Sequence, residues 1–206
     1  IEGSFSQTSV RDISLEDLLG RRQNKLEYSK VKNFLSNQIV LISGAGGSIG
    51  SELARRINEF HPKKMLLLDI SEQAIYNLSQ KFIDKTNSKA IQLFCSNVSN
   101  KSELEKIFKK YRPSIIYHAA AMKHVNICEE NASEAIRTNT IATDLLSNLA
   151  EKHKSKCLIL VSTDKAVNPT SVMGATKKLA ESIIQSRDRF SNSGTRFITV
   201  RFGNVL

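Results

Sequence analysis

Two stretches of the sequence carry side chains that could move protons. Thr163, Asp164 and Lys165 set a hydroxyl, a carboxylate and an amine side by side at the end of an apolar run. Lys177 follows Met173 at the four-residue spacing that puts two side chains on one helical face. A carboxyl group that gives up a proton and an amine that takes one are the two halves of acid–base catalysis. Free pKa values near ~3.9 and ~10.4 leave the acid ionised and the amine protonated at neutral pH, so either role needs help from the surroundings. Met173 adds no proton of its own, because a thioether cannot exchange one.

A third stretch is suited to binding. The run 39–43 leads into Gly44-Ala45-Gly46-Gly47-Ser48-Ile49-Gly50 and then into an amphipathic segment with Leu53, Ala54 and Ile57. Glycines at 44, 47 and 50 allow a tight turn, close approach of backbone to a pyrophosphate, and close packing of helix on strand. Asp69 ends the next apolar run, about 20 residues further on. An ionised carboxylate there accepts hydrogen bonds from a ribose diol and repels a 2′-phosphate, so NAD is expected rather than NADP. The residues that follow, Ile70-Ser71-Glu72-Gln73, hold no Arg to grip the extra phosphate. Asp69 can also cap the helix that begins near Glu72. Asn97 and Val98 offer an amide and a backbone N–H to an adenine edge. Ala119, Ala120 and Ala121 are small enough to let the backbone approach the nicotinamide half.

Short apolar runs alternate with amphipathic stretches over 39–43, 49–59, 64–69, 72–85, 90–95, 101–111, 114–118, 133–153, 157–163, 173–190 and 196–205. Strand and helix thus take turns, and the strands are apolar throughout, as in parallel strands covered on both faces. The fold class expected is α/β, a doubly wound parallel sheet of the NAD-binding Rossmann kind. Ligands bind outside the carboxyl ends of such strands, which gathers the chemistry at 43–50, 69–71, 95–98, 118–124, 162–165 and 201–204. Residues 38–206 form this domain. Residues 1–37 form a lead-in with one short helix over 15–19, marked by Ile13, Ser14 and Asp17 before it and Gly20 after it.

Composition excludes several classes. With 206 residues, 40% hydrophobic, nine Gly and three Pro, the chain is globular rather than disordered or fibrous. No apolar run approaches the ~18 residues of a membrane span. Cys95, Cys128 and Cys157 lack metal-ligand spacing, so no metal is expected and a reduced, cytoplasmic compartment fits best. The 30 Lys+Arg outnumber the 20 Asp+Glu by ten, yet the basic residues fall in scattered pairs without interleaved aromatics. That pattern reads as a solvated surface, with attraction of a phosphorylated substrate or a lipid surface as the alternative, and no nucleic-acid partner.

Together these motifs resemble the extended short-chain dehydrogenase/reductase superfamily. Within it, Ser43–Ala54, His118–Val125, Ser162–Thr170, Val172–Lys177 and Arg201–Leu206 resemble the bacterial polysaccharide-biosynthesis nucleotide-sugar 4,6-dehydratases, as does the lead-in Arg11–Arg21. The resemblance implies a UDP-N-acetylglucosamine 4,6-dehydratase that keeps its NAD bound and returns it oxidised. It implies that Thr163 contacts the sugar, that Asp164 and Lys165 share the acid and base roles, and that Lys177 holds the nicotinamide ribose. The superfamily's usual Tyr-x-x-x-Lys pair has Met173 in its first position here, as in the large, membrane-anchored branch. The base for the C4 hydroxyl stays open among Lys177, Asp164 and a water. Lys123 lies where substrate diphosphate or sugar would bind, with His124 beside it, and Arg201 and Asn204 are placed to address the UDP phosphates. The chain is expected to stop before the substrate-binding portion and to form a homo-oligomer, with the full-length protein at the cytoplasmic face of the inner membrane. A UDP-sugar 4-epimerase and a catalytically silent NAD-binding module are the alternatives.

Overall fold

The computed structural model describes residues 27–83 and 90–203, with Ile83 described by its backbone alone. The short helix expected over 15–19, the end of the helix expected over 72–85, and Asn204 lie outside the described residues. Six strands, β1 (Ile39–Ser43), β2 (Lys64–Asp69), β3 (Ile91–Cys95), β4 (Ile115–His118), β5 (Cys157–Thr163) and β6 (Arg196–Phe202), form one sheet in the order β3-β2-β1-β4-β5-β6. Every neighbouring pair is parallel. The order reverses direction between β1 and β4, and a crevice opens where their connections leave the sheet on opposite faces.

Helices cover both faces. Numbered in chain order they are α1 (Tyr28–Leu35), α2 (Ser48–Asn58), α3 (Glu72–Ile83), α4 (Lys101–Tyr111), α5 (Val125–Glu130), α6 (Ala132–Ile136), α7 (Ala142–Lys152) and α8 (Val172–Phe190). Alternate residues of the central strands feed two separate cores. Leu41, Leu66, Leu68, Ile116, Leu158 and Leu160 meet α4, α7 and α8, while Val40, Ile42, Met65, Leu67 and Ile115 meet α1, α2 and α3. This two-sided burial explains why β1 and β2 read as unbroken apolar runs.

Three features depart from the sequence expectation. Helix α1 lies in the lead-in and seats Leu35, 1% exposed, in the second core. The helix expected over 133–153 is two helices, α6 and α7, joined by a π-helical turn at Arg137–Ile141, where the Ala142 N–H bonds the Arg137 carbonyl five residues back; α5 precedes them as a separate short helix. Strand β6 ends at Phe202 and is open on one face, with Ile198, Val200 and Phe202 exposed, because α8 packs on the other face, against Phe197 and Arg201, and no described helix covers this one.

Candidate active site and dinucleotide cleft

The glycine loop owes its shape to what crowds it. Gly44 has φ +68°, and a Cβ there would lie 2.5 Å from the Ala120 nitrogen, so the loop after β1 and the loop after β4 touch at that point. A Cβ on Gly50 would lie 2.0 Å from the Gly44 carbonyl oxygen, which is how the first turn of α2 folds onto the loop. Gly47 differs. A Cβ there would meet only the Gly44 oxygen, at 3.4 Å, so the protein itself leaves that position open toward the cleft. Gly47 is also the N-cap of α2, without a side-chain hydrogen bond to the helix start and without an acid in the first turn. The unpaired N–H groups and positive dipole end of α2 therefore fit an anionic phosphate.

Asp69, buried at the end of β2, accepts the Gly46 N–H on Oδ2 at 2.8 Å and the Ser71 N–H on Oδ1 at 2.9 Å. Each oxygen keeps a second lone pair for a hydroxyl of a bound ribose. In the loop after β3, Asn97 Oδ1 accepts from both N–H and Oγ of Ser99 at 2.9 Å, which orients the amide and leaves its Nδ2 as the donor for an adenine edge. These groups line one cleft of about 400 Å³. It brings together Gly44, Gly47, Ser48, Ile49 and Gly50 of the loop, Asp69 and Ile70, Asn97 and Val98, and Ala119, Ala120, Ala121 and Lys123 after β4. Gly46 and Ser71 act through Asp69 instead. Leu68, Ser96, Met122, Glu134 and Thr138 also line the cleft. The last two come from α6 and the π turn, whose register no apolar pattern in the sequence discloses. The donors, the open glycine and the acid all suit a dinucleotide.

A buried polar chain underlies the cleft. His118, fully buried at the end of β4, bonds Ser43 Oγ through Nδ1 (2.7 Å) and Thr143 Oγ1 through Nε2 (3.1 Å). Thr143 gives its one proton to the Asn139 carbonyl (2.7 Å), so it must accept from Nε2–H, and Nδ1 then accepts from Ser43. Burial, with the Lys177 charge adding to it, pushes His118 down to about 3, which keeps the imidazole neutral. Asn139, in the π turn, clamps Met122 at both backbone atoms, accepting its N–H (2.8 Å) and donating to its carbonyl (3.1 Å), and donates as well to Thr176 Oγ1 (3.0 Å). The loop after β4 is thereby tied to α8.

The residues singled out for proton transfer lie at two depths. Thr163 ends β5, and Asp164 and Lys165 open a short 3-10 turn, Asp164–Ala166, both exposed. The Thr163 hydroxyl donates to Asp164 Oδ1 at 2.9 Å, and Lys165 Nζ sits 3.6 Å from the same oxygen. The Thr163 bond first, and the Lys165 charge with it, hold the Asp164 carboxyl below its usual range. Lys177 is buried, and its Nζ donates to the Val161 carbonyl at 2.7 Å. Burial pushes it down to about 8, against an opposing pull from Glu181. Met173, 4% exposed, packs with Cys128 and Ala135 in a small apolar cluster of its own, flanked by Met122, Val125 and Val172. Lys123, which lines the cleft, and His124 beside it are both exposed. Arg201, expected at the diphosphate, directs Nε and Nη2 onto Glu181. Among the described residues no group of His, Cys, Asp and Glu could hold a metal ion, and no helix is long and apolar enough to cross a membrane.

A phosphate-ready helix start at the reversal of a parallel sheet, faced by an acid on the second strand, defines a Rossmann-type dinucleotide-binding domain. The comparison with known sequences is more specific. Residues 40–206 match the family described as polysaccharide biosynthesis protein, and the chain belongs to that family. It is 40% identical over its whole length to the capsular polysaccharide biosynthesis protein CapD of Staphylococcus aureus, of which it spans 34%. It is 33% identical, over 81% of its length and 49% of the relative's, to a UDP-N-acetylglucosamine 4,6-dehydratase (inverting) of Campylobacter jejuni. Among solved structures, Pen from Bacillus thuringiensis superposes with a TM-score of 0.79 at 33% identity, over 84% of this chain and 54% of that one. UDP-glucose 4-epimerases also occur among the named relatives. The chain thus spans between a third and about half of the length of the proteins it matches.

Proposed function

We propose that this chain is the NAD-binding part of a nucleotide-sugar 4,6-dehydratase that acts on a UDP-N-acetylhexosamine, UDP-N-acetylglucosamine being the substrate the resemblance favours, for surface polysaccharide synthesis. The coarser reading, nucleotide-sugar chemistry by a dehydratase or epimerase, draws support from the named relatives and from solved relatives described with NAD bound. The observation that carries the finer reading is the exposed Asp164–Lys165 pair at the end of β5, bonded to Thr163. An epimerase has no elimination step and no use for an acid and a base at C6 and C5.

Bound in the cleft, NAD supplies the acceptor for the C4 hydride and later its donor to C6. The chain's own residues do the rest. The α2 start and Gly47 hold the pyrophosphate, Asp69 the adenosine ribose, and Lys177, with further N–H donors beyond the Val161 carbonyl, the nicotinamide ribose. Thr163 orients the sugar. Oxidation at C4 also releases the hydroxyl proton, to Lys177, Asp164 or a water; once C4 is a ketone the C5 proton is acidic, and Lys165 is the base that removes it while Asp164 protonates the departing C6 hydroxyl. Met173 takes no part in proton transfer.

The test uses the full-length protein with C4-deuterated UDP-N-acetylglucosamine. A dehydratase yields a product lighter by one water with deuterium at C6. Deuterium back at C4 with no loss of water means an epimerase, and no transfer of label to bound NAD means a silent module.

A further inference from the structure

Among the described residues, unopposed positive charge gathers at one end of the sheet. Parallel strands all begin at the same end, and here those beginnings are tied in a row. The Arg196 N–H bonds the Lys156 carbonyl (2.9 Å), the Lys156 N–H that of Ser114 (2.8 Å), the Ser114 N–H that of Ile39 (2.8 Å), and the Lys64 N–H that of Gln38 (3.3 Å). Lys64, Lys156 and Arg196 thus stand along one edge that runs from β2 to β6, a width of about 20 Å. Lys63 precedes the row, the end of α4 adds Lys109, Lys110 and Arg112, and the end of α7 adds Lys152 and Lys154, all of them exposed. Helix ends attract cations, which accounts for Lys109, Lys110 and Lys152. It does not account for Lys63, Lys156 and Arg196, which lie in connections or at a strand start. The acids at this end are occupied: Glu59 by Arg55, Glu151 by Arg187, and Asp188 by the Phe197 N–H, with Arg196 3.8 Å away. At the cleft end, by contrast, Asp69, Glu72, Glu134 and Asp164 offset Lys101, Lys123 and Lys165.

We propose that this basic end is a docking surface for an anionic lipid bilayer, on which the protein rests with its dinucleotide cleft turned toward the water. The cleft lies at the carboxyl ends of the same strands, so the two surfaces face opposite ways, and docking leaves the cleft open to dissolved ligands. Shape and residue type favour lipid over nucleic acid. The connections that lead back into the strands, 36–38, 59–63, 112–114 and 153–156, are short and leave little depth for a groove that tracks a phosphate backbone. The cations are mostly lysine, whose compact ammonium suits a diffuse field of headgroups, whereas the arginine fork suits one fixed phosphate. Tyr111 lies under Lys64 and Lys110, 5.9 and 5.0 Å from its ring centre, and is not free to stack on a base. Each basic residue held near an anionic leaflet strengthens binding about fivefold, so a row of them makes a surface that docks without any buried lipid site.

The test is cosedimentation of this chain with vesicles of phosphatidylcholine, alone or mixed with phosphatidylglycerol. Binding is expected to the anionic vesicles only, at about 0.15 M salt, and is expected to be lost at about 1 M, where charges are screened beyond about 3 Å. Any cationic protein shows some of this behaviour, so the placement is read from two variants of equal net charge. Lys109→Gln/Lys152→Gln/Lys156→Gln, at the basic end, is expected to weaken binding on the order of 100-fold. Lys101→Gln/Lys123→Gln/Arg137→Gln, toward the cleft, is expected to keep most of it. All of these side chains are exposed, and urea unfolding checks that both variants fold. Equal losses in the two variants mean that net charge alone acts and overturn the proposal, as does a failure to bind anionic vesicles at the lower salt. NAD affinity on the vesicles is expected to match that in solution, and its loss there means that the cleft faces the lipid, which overturns the orientation. Tighter binding to a duplex or single-stranded oligonucleotide than to the anionic vesicles assigns the surface to nucleic acid instead.

Discussion

Asp69 and Gly46 are joined by a 2.8 Å hydrogen bond from the backbone N–H of the loop to Oδ2 of the acid. Asp69 is therefore also a strut of the glycine loop, so the acid and the open start of α2 belong to one rigid unit.

Asp69→Asn keeps the shape but turns one accepting oxygen into a donor that faces the N–H of Gly46 or Ser71. NAD affinity is expected to fall about tenfold or more, the order expected for a lost hydrogen bond to a charged group, and the preference over NADP to narrow. Calorimetry with both cofactors checks this. An unaltered affinity ratio would contradict the role given to the carboxylate.

Met173 sits against Cys128 and Ala135 in an apolar cluster. Met173→Leu conserves volume and is expected to cost less than about 1.5 kcal/mol with activity largely kept. Met173→Ala opens a cavity and is expected to cost about 2 to 5 kcal/mol. Urea unfolding and turnover measured side by side separate packing from chemistry, since a large loss of turnover in the stable Leu variant would reveal a role for the sulfur.

His118 is held neutral, with its value near 3 in the folded chain against about 6.5 when unfolded. Its contribution to stability is complete above about pH 6.5 and is lost as the pH falls from there toward 3, because only the unfolded chain takes up the proton. The slope approaches about 1.4 kcal/mol per pH unit in that window. His118→Gln is expected to flatten the stability profile between pH 6.5 and 5. Identical profiles for the two proteins would show that the imidazole is not held as the hydrogen bonds indicate.

Asp164→Asn in the full-length protein is expected to leave NAD affinity unchanged and to slow water loss by roughly 10² to 10⁴, the usual contribution of one positioned acid. Lys165→Ala is expected to suppress exchange of the C5 proton with solvent. Undiminished turnover in both removes the pair from these roles.

What the sequence disclosed of this site was local. The loop 44–50 and Asp69 were legible because a strand, a turn and a helix start follow one another within a few residues, and the buried strands showed themselves by unbroken apolarity. The α1 helix was not, since Leu35 and Val31 are its main inward residues and the exposed Tyr28 and Phe34 blur the stripe. Arg201 looked like a phosphate ligand because a cation at a strand end in a nucleotide-binding fold invites that reading. Its partner Glu181 sits on a helix in a charged stretch, and only the packing of α8 on β6 brings the two together.

The π turn at Arg137–Ile141 holds one residue more than a regular helical turn, and Asn139 lies in the middle of it. That makes length, rather than side-chain identity, the vulnerable property of this segment. Deleting a single residue from 137–141 would restore an ordinary α-helical turn and leave its two flanks in register, but it would remove the widened turn that presents Asn139. The Asn139 amide would then lose its place against Met122 and Thr176 although no side chain lining the cleft after β1 or β2 had been altered. Across related chains, insertions and deletions should therefore collect in the loops around this helix and avoid the turn, even where its amino acids vary.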